Sequence, residues 1–255
     1  MELIDTHAHI TCDDLYPNID EIIENAKQAN VKRILCICLN IEQIERAFSL
    51  KERYEWIDVA AGFHPSDLYD VCAKDWEALS TLAKDERIIA IGEIGLDYHW
   101  DDVEKDVQKE AFIRQLHLAN ELQKPVLIHM RDATKDTMDI LREHKKVSGI
   151  LHCYSGSLET AMDAIHMDMY ISVGGPITFK NARGLPEVIR QIPIDRLMLE
   201  TDCPYLTPHP FRGTRNEPKY LSYTFDVVAK LKEMDASTLS HQLKKNYAAL
   251  FHSSL

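Results

Sequence analysis

The chain is predicted to fold as a (β/α)8 barrel, one domain over residues 1–255. Short apolar runs recur about eight times with helical patterns between them, the count such a barrel requires. The runs are apolar on both faces, as in a parallel sheet covered by helices. Residues able to bind metals recur just after these runs, at the strand ends where barrels place their chemistry.

In chain order, the predicted strands are Leu3-Ile4, Arg33 to Leu39, Ile57 to Phe63, Ile88 to Ile91, Val126 to Ile128, Ile150-Leu151, Met169 to Val173 and Leu197 to Leu199. Ile19, Ile22, Ile23 and Ala26 repeat at helical spacing, as do Trp76, Leu79, Leu82 and Ala83. Stretches 104–122, 133–145, 157–167 and 181–191 read as further helices, and 219–233 and 237–250 close the chain. Asn18, Thr134 and Ser157 suit helix starts. The competing layout, an open doubly wound sheet, often carries a Gly-rich turn after its first strand. Here that turn is Thr6-His7-Ala8-His9.

Composition narrows the function. The formal net charge of −12 disfavours broad coating of nucleic acid or attraction to anionic membranes. The sequence holds no run of about 20 apolar residues, so no membrane span is expected. Asp5 directly follows Leu3-Ile4, so no signal-peptide apolar region is expected either. The six cysteines form no Cys-x-x-Cys, and Cys36 and Cys38 read as buried thiols. A reduced, cytoplasmic protein is expected, with no obligate protein partner evident.

His7 and His9 lie two apart at the first strand end, where both imidazoles reach one side. With 12 His in 255 residues, roughly half of one His-x-His pair arises by chance. The weight therefore rests on what accompanies it. Later strand ends hold His64, Glu93, His129, His152 and Asp202. Imidazole and carboxylate suit a borderline or hard divalent ion. Six of these, His64 apart, exceed one tetrahedral zinc with an open position and suit two ions about 3.5–4 Å apart. Strand order assigns His7, His9 and Asp202 to one ion, His129 and His152 to the other, and Glu93 to the bridge. Loaded with two divalent ions, the site carries about +2 and could receive an anionic phosphodiester. His64 is read as a substrate contact.

With these residues in place, the chain resembles the TatD family of metal-dependent hydrolases, within the amidohydrolase-like barrels. The resemblance spans nearly the whole chain. It rests on Asp5-Thr6-His7-Ala8-His9, Gly62-Phe63-His64-Pro65, Gly92-Glu93-Ile94-Gly95-Leu96-Asp97-Tyr98, His129-Met130-Arg131-Asp132-Ala133, His152-Cys153-Tyr154-Ser155-Gly156, Glu200-Thr201-Asp202-Cys203-Pro204 and Arg212-Gly213-Thr214-Arg215-Asn216-Glu217-Pro218. Met130 stands where a small residue is common, and His99 replaces an aromatic. Glu93 takes the bridging place that a carboxylated lysine often fills in amidohydrolase relatives. The resemblance implies a divalent-metal-dependent deoxyribonuclease of the 3′–5′ exonuclease type.

The expected reaction is phosphodiester hydrolysis, on DNA with single-stranded ends, by hydroxide formed between two ions. Mg²⁺, Mn²⁺, Zn²⁺, Ni²⁺ or Fe²⁺ all suit the ligands. Asp202 is expected to orient the hydroxide and shuttle its proton, with Glu93 as bridge and Glu200 holding the ligands in place. Arg131, Arg212, Arg215 and Asn216 are expected to contact phosphate. Tyr98, Trp100 and Tyr154 could stack on terminal bases or serve loop packing. One rival is ester or amide hydrolysis, such as deacylation of aminoacyl-tRNA, on the same ions. A non-catalytic metal-binding protein is the other.

Overall fold

A computed structural model describes residues 1–252. Its eight strands are β1 (Leu3–Ala8), β2 (Val31–Cys38), β3 (Ile57–Ala61), β4 (Ile88–Asp97), β5 (Val126–Arg131), β6 (Gly149–Leu151), β7 (Met169–Val173) and β8 (Leu197–Leu199). Each pairs in parallel with the next in sequence. The ends of the sheet meet just beyond β8. Ala8 bridges Cys203, the His9 N–H donates to the Cys203 carbonyl at 2.9 Å, and the Asp202 N–H donates to the His7 carbonyl at 2.9 Å. The fold is therefore the predicted (β/α)8 barrel.

Nine α-helices follow among the described residues: α1 (Ile19–Gln28), α2 (Ile41–Arg53), α3 (Ala73–Leu82), α4 (Lys105–Leu122), α5 (Thr134–His144), α6 (Leu158–His166), α7 (Leu185–Gln191), α8 (Leu221–Leu231) and α9 (Ala236–Phe251). The helix α2, absent from the expectations above, forms between β2 and β3. The Asn40 side chain caps its start by accepting from the Gln43 N–H, and Ile44, Ala47, Phe48 and Leu50 bury one face. Ser157 caps α6 in the same way, whereas Asn18 makes no side-chain cap bond and Thr134 is the first residue of α5. Strand β4 runs to Asp97, six residues past its predicted end at Ile91.

Two apolar layers result. The outer layer lies between sheet and helices. The inner layer takes at least one residue from every strand: Ile4, Leu35 and Ile37, Ala60, Ala90, Leu127, Ile150, Tyr170 and Met198. Tyr247, Leu250 and Phe251 of α9 pack onto this inner layer and cover it. The Tyr247 hydroxyl donates to Asp58 Oδ2 at 2.7 Å, beside bonds from Arg33 (2.8 Å) and Lys51 (3.0 Å) to the same carboxylate. Cys36 and Cys38 are buried free thiols, as expected. No helix among the described residues is long and apolar enough to cross a membrane.

The packing of α9 generates a stability prediction. Tyr247→Ala should lower the unfolding free energy by about 3–5 kcal/mol, and Tyr247→Phe by about 1 kcal/mol, in denaturant titrations. An unchanged midpoint in Tyr247→Ala would show that α9 does not hold the barrel floor.

Candidate metal centre

Side chains alternate along a strand, so each inner-layer residue places those two and four positions onward. Ala60 thus directs His64 inward, Leu127 directs His129, Ile150 directs His152, and Met198 directs Glu200 and Asp202. His7 and Glu93 do not follow that count. Leu3 and Ala8 both face the outer layer, as do Ile91 and Ile94. Those odd spacings require an extra residue in each strand. The pairing register shifts between Asp5 and Ala8 in β1, and between Ile91 and Ile94 in β4. Each irregularity re-aims a side chain, bringing His7 and Glu93 to the barrel axis. Gly92 permits the second: a Cβ there would lie 2.5 Å from Leu127 Cβ. Gly95, with φ +142°, passes so close to His129 that a Cβ would lie 2.0 Å from its carbonyl oxygen.

The Glu93 carboxylate, 3% exposed, stands between two sets of imidazoles. Its Oε2 lies 3.2 Å from His7 Nε2 and 3.5 Å from His9 Nε2. Its Oε1 lies 2.7 Å from both His129 Nδ1 and His152 Nε2, and 3.5 Å from His64 Nε2. On the first side, Asp202 Oδ1 is 3.4 Å from His9 Nε2 and 3.8 Å from His7 Nε2. The six residues assigned to metal from strand order therefore converge, with Glu93 between the two groups.

Hydrogen bonds sort the imidazoles by role, because a neutral ring donates through one nitrogen and keeps a lone pair on the other. His129 Nε2 lies 2.9 Å from Asp97 Oδ2, so a neutral His129 that donates there would present its Nδ1 lone pair toward Glu93. His152 Nδ1 lies 3.4 Å from Glu200 Oε1 without a hydrogen bond to it, and Nε2 faces the centre. His64 is opposite. Its Nδ1 accepts from the Ser66 N–H at 3.2 Å, so Nε2 carries the proton and faces the site as a donor. His64 is thus suited to a substrate oxygen rather than to an ion.

The donor set fits divalent ions. His7 Nε2 and His9 Nε2 are 3.2 Å apart, and so are His129 Nδ1 and His152 Nε2. Two nitrogens sharing a tetrahedral Zn²⁺ at about 2.0–2.1 Å would stand roughly 3.3 Å apart. Combinations of these side chains, with all the ligand atoms within 4.8 Å of one another, are His7, Glu93 and His152; His7, His9 and Asp202; and His64, Glu93 and His129. Burial opposes charge on Glu93, yet His152, His64 and His7 outweigh it and hold the carboxyl well below the usual range. Burial likewise opposes charge on His152, but Glu93 and Glu200 raise it well above an ordinary imidazole. His129 is raised despite burial by Asp97 and Glu93. A cluster that clings to protons in this way is one that divalent cations can neutralise.

Some supporting residues escaped the sequence reading. Asp97 behind His129 is one. Gln108 and Gln115 of α4 are others, buried and two helical turns apart. Gln108 accepts the Asp97 N–H and donates to the Asp97 carbonyl, both at 2.9 Å. Gln115 does the same for Phe63, at 2.7 and 3.1 Å, just before His64. Buried polar residues on a helix face give no sequence signal of the strand they will meet. Asp5 holds the other side, accepting from the Thr201 N–H at 2.9 Å and the Thr201 hydroxyl at 2.6 Å.

The expected substrate contacts divide. Arg131 is exposed at the end of β5, its guanidinium 5.7 Å from the Trp100 ring. Asp97, its neighbour across β4 and β5, and the adjacent Asp132 bond His129 and His99 instead. Arg212 is exposed over Phe179, and Arg215 donates to the Asp14 carbonyl at 2.9 Å. Asn216 is fully buried; its amide donates to the Thr201 and Tyr205 carbonyls and its oxygen accepts from the Glu217 N–H. The fold uses that side chain completely, so the phosphate contact expected of Asn216 has no free group to make it. Tyr154 is buried and donates to the Ser157 carbonyl, Tyr98 donates to Asp136, and Trp100 is exposed.

A parallel barrel with imidazoles and carboxylates gathered at its C-terminal strand ends defines a metal-dependent hydrolase. The family profile described as TatD related DNase matches residues 4–252, and the chain belongs to the TatD family. It is 46% identical over 251 residues to the uncharacterized metal-dependent hydrolase YabD of Bacillus subtilis, covering 98% of each chain. To the uncharacterized metal-dependent hydrolase YcfH of Escherichia coli it is 36% identical over 260 residues, covering 99% of this chain and 96% of the relative. The crystal structure of the TatD homologue YJJV from E. coli superposes with a TM-score of 0.93 at 30% identity, over 99% of this chain and 98% of that one.

Two predictions follow from the geometry. His129 and His152 hold protons above the ordinary imidazole range, and those protons must leave before an ion binds. Divalent-ion affinity should therefore climb as pH rises through neutrality, with net proton release in calorimetry across buffers of different ionisation enthalpy. A pH-independent affinity would contradict this. Glu93→Gln should leave the fold intact but abolish simultaneous tight binding of two equivalents of Zn²⁺ or Mn²⁺, measured by elemental analysis after dialysis.

Proposed function

We propose that the protein hydrolyses DNA phosphodiesters, removing nucleotides from single-stranded 3′ ends with two divalent ions held by His7, His9, Asp202, His129, His152 and the shared Glu93. The observation that carries a two-ion hydrolase is the single Glu93 carboxylate with ligand-type nitrogens at both oxygens. The description of the matched family as a DNase supports the choice of bond. Bound ions supply Lewis acidity, polarising the phosphoryl group and making water nucleophilic near neutral pH.

The chain's own groups do the rest. Asp202, at the edge of the cluster, orients the attacking water and takes its proton. The water oxygen joins phosphorus as the bond to the 3′-oxygen breaks, and the leaving oxygen takes a proton from solvent. His64 donates from Nε2 to a phosphoryl oxygen, and the free guanidinium of Arg131 grips a neighbouring phosphate oxygen.

One feature favours a short substrate end over a long strand. The loops after β1, β3, β4 and β5 carry exposed Asp13, Asp14, Asp67, Asp70, Asp101, Asp102 and Asp132. Such a rim repels any polyanion, a tRNA body included, so the second reading, hydrolysis of an ester or amide such as aminoacyl-tRNA, likewise requires that only the substrate's end enter. Metal-loaded protein assayed against single-stranded DNA and charged tRNA side by side separates the two. Nucleotide release with Mg²⁺ or Mn²⁺ is expected, and its absence would sink the nuclease reading. Arg131→Ala should raise KM about tenfold or more, the loss of one charge-assisted contact. The acidic rim further predicts that KM for an oligonucleotide falls as ionic strength rises from low to physiological.

A further inference from the structure

Among the described residues Asp97 lies in none of the groups of side chains that could hold an ion, yet both its carboxylate oxygens and its backbone are hydrogen-bonded. It is 2% exposed. Its Oδ2 faces His129 Nε2 at 2.9 Å, and its Oδ1 accepts from the His99 N–H at 2.9 Å. Its backbone is gripped at both the N–H and the carbonyl by Gln108, whose amide also donates to the Val103 carbonyl at 3.0 Å. A helix side chain thus stands in for the strand neighbour that the end of β4 would otherwise lack on that side. Both carboxylate oxygens and the backbone are held, so the direction of the carboxylate is set before any ion arrives.

We infer that Asp97 is a positioning residue for the metal centre, locking the Nε2–H tautomer and ring plane of His129 so that its Nδ1 lone pair faces Glu93. The assignment rests on His129 holding an ion, as proposed above. A carboxylate behind an imidazole ligand raises its basicity and removes the entropy of choosing a tautomer. The lock matters most here because His129 meets the centre through Nδ1, the nitrogen nearer the backbone, where the other tautomer would put an N–H and a ring flip a C–H toward the ion. The bland alternative is that a buried aspartate simply needed a partner and His129 serves as one.

The test measures ion binding rather than turnover. Asp97→Asn keeps the shape but places an amide N–H toward either His129 or the His99 backbone N–H, and it removes the charge in both cases. Wild type, Asp97→Asn, Asp97→Ala and His129→Ala are titrated with Zn²⁺ by calorimetry and with Co²⁺ by visible absorption, with thermal unfolding of each ion-free protein as control. Positioning predicts a 10- to 100-fold weaker affinity for one equivalent in both Asp97 variants, with a changed Co²⁺ spectrum, while ion-free Asp97→Asn unfolds close to wild type. Wild-type affinity and spectrum in Asp97→Asn would overturn it, whatever becomes of Asp97→Ala. His129→Ala separates the two layers of the argument. Loss of one ion there with unchanged Asp97 variants rejects the inference alone, whereas no loss in His129→Ala rejects the metal assignment beneath it.

Discussion

The structure turns on one buried carboxylate. Glu93 sits on the barrel axis with imidazole nitrogens at both oxygens, and a charge so placed is costly unless it is surrounded by groups that want it. The histidines on both sides supply that surrounding, and each half of the centre depends on the other through it. Moving Glu93 one residue onward, to the place of Ile94, would turn it into the apolar outer layer.

Holding Glu93 there shapes the rest of the barrel. Gly92 and Gly95 flank it because β5 passes too close for side chains. The strand itself continues to Asp97, where α4 takes over as a substitute neighbour through Gln108. On the opposite side, the barrel closes not along β8 but at Asp202 and Cys203, directly against His7 and His9. Closure and ligand placement are therefore the same event there. At the other end of the barrel, Asp58, Arg33, Lys51 and Tyr247 knit α9 to the sheet and serve stability. This division, chemistry at the C-terminal strand ends and stability below, is the general pattern of such barrels.

The imidazoles differ in what they can do although they share a carboxylate. His129 bonds Asp97 through Nε2, His152 lies with Nδ1 beside Glu200, and each presents its other nitrogen to Glu93. His64 is backed by a backbone N–H, and its proton points inward. A residue that a sequence shows only as histidine thus turns a different nitrogen to the centre according to what stands behind it. Membership of the TatD family and the hydrolase class rest on the whole chain, and beside the cluster exposed Arg131 and Trp100 stand among aspartates.

Much of this was legible in the residues. The eight apolar runs, the strand-end ligands and the grouping around Glu93 follow from period-two and period-3.6 patterns and from the chemistry of imidazole and carboxylate. Counting alternate residues along β3, β5, β6 and β8 suffices to send His64, His129, His152 and Asp202 inward. His7 and Glu93 are different, because a bulge adds a residue without leaving a mark in composition or periodicity. The helix α2, the buried glutamines of α4, the support of His129 by Asp97 and the structural use of Asn216 were decided only on folding. Each depends on which backbone groups lack a partner once the strands have met, a condition set by distant segments. The sequence by itself thus determined the barrel and the kinds of ligand, both local in pattern. Tertiary structure decided which nitrogen faces the centre and which polar side chains remain free for a substrate.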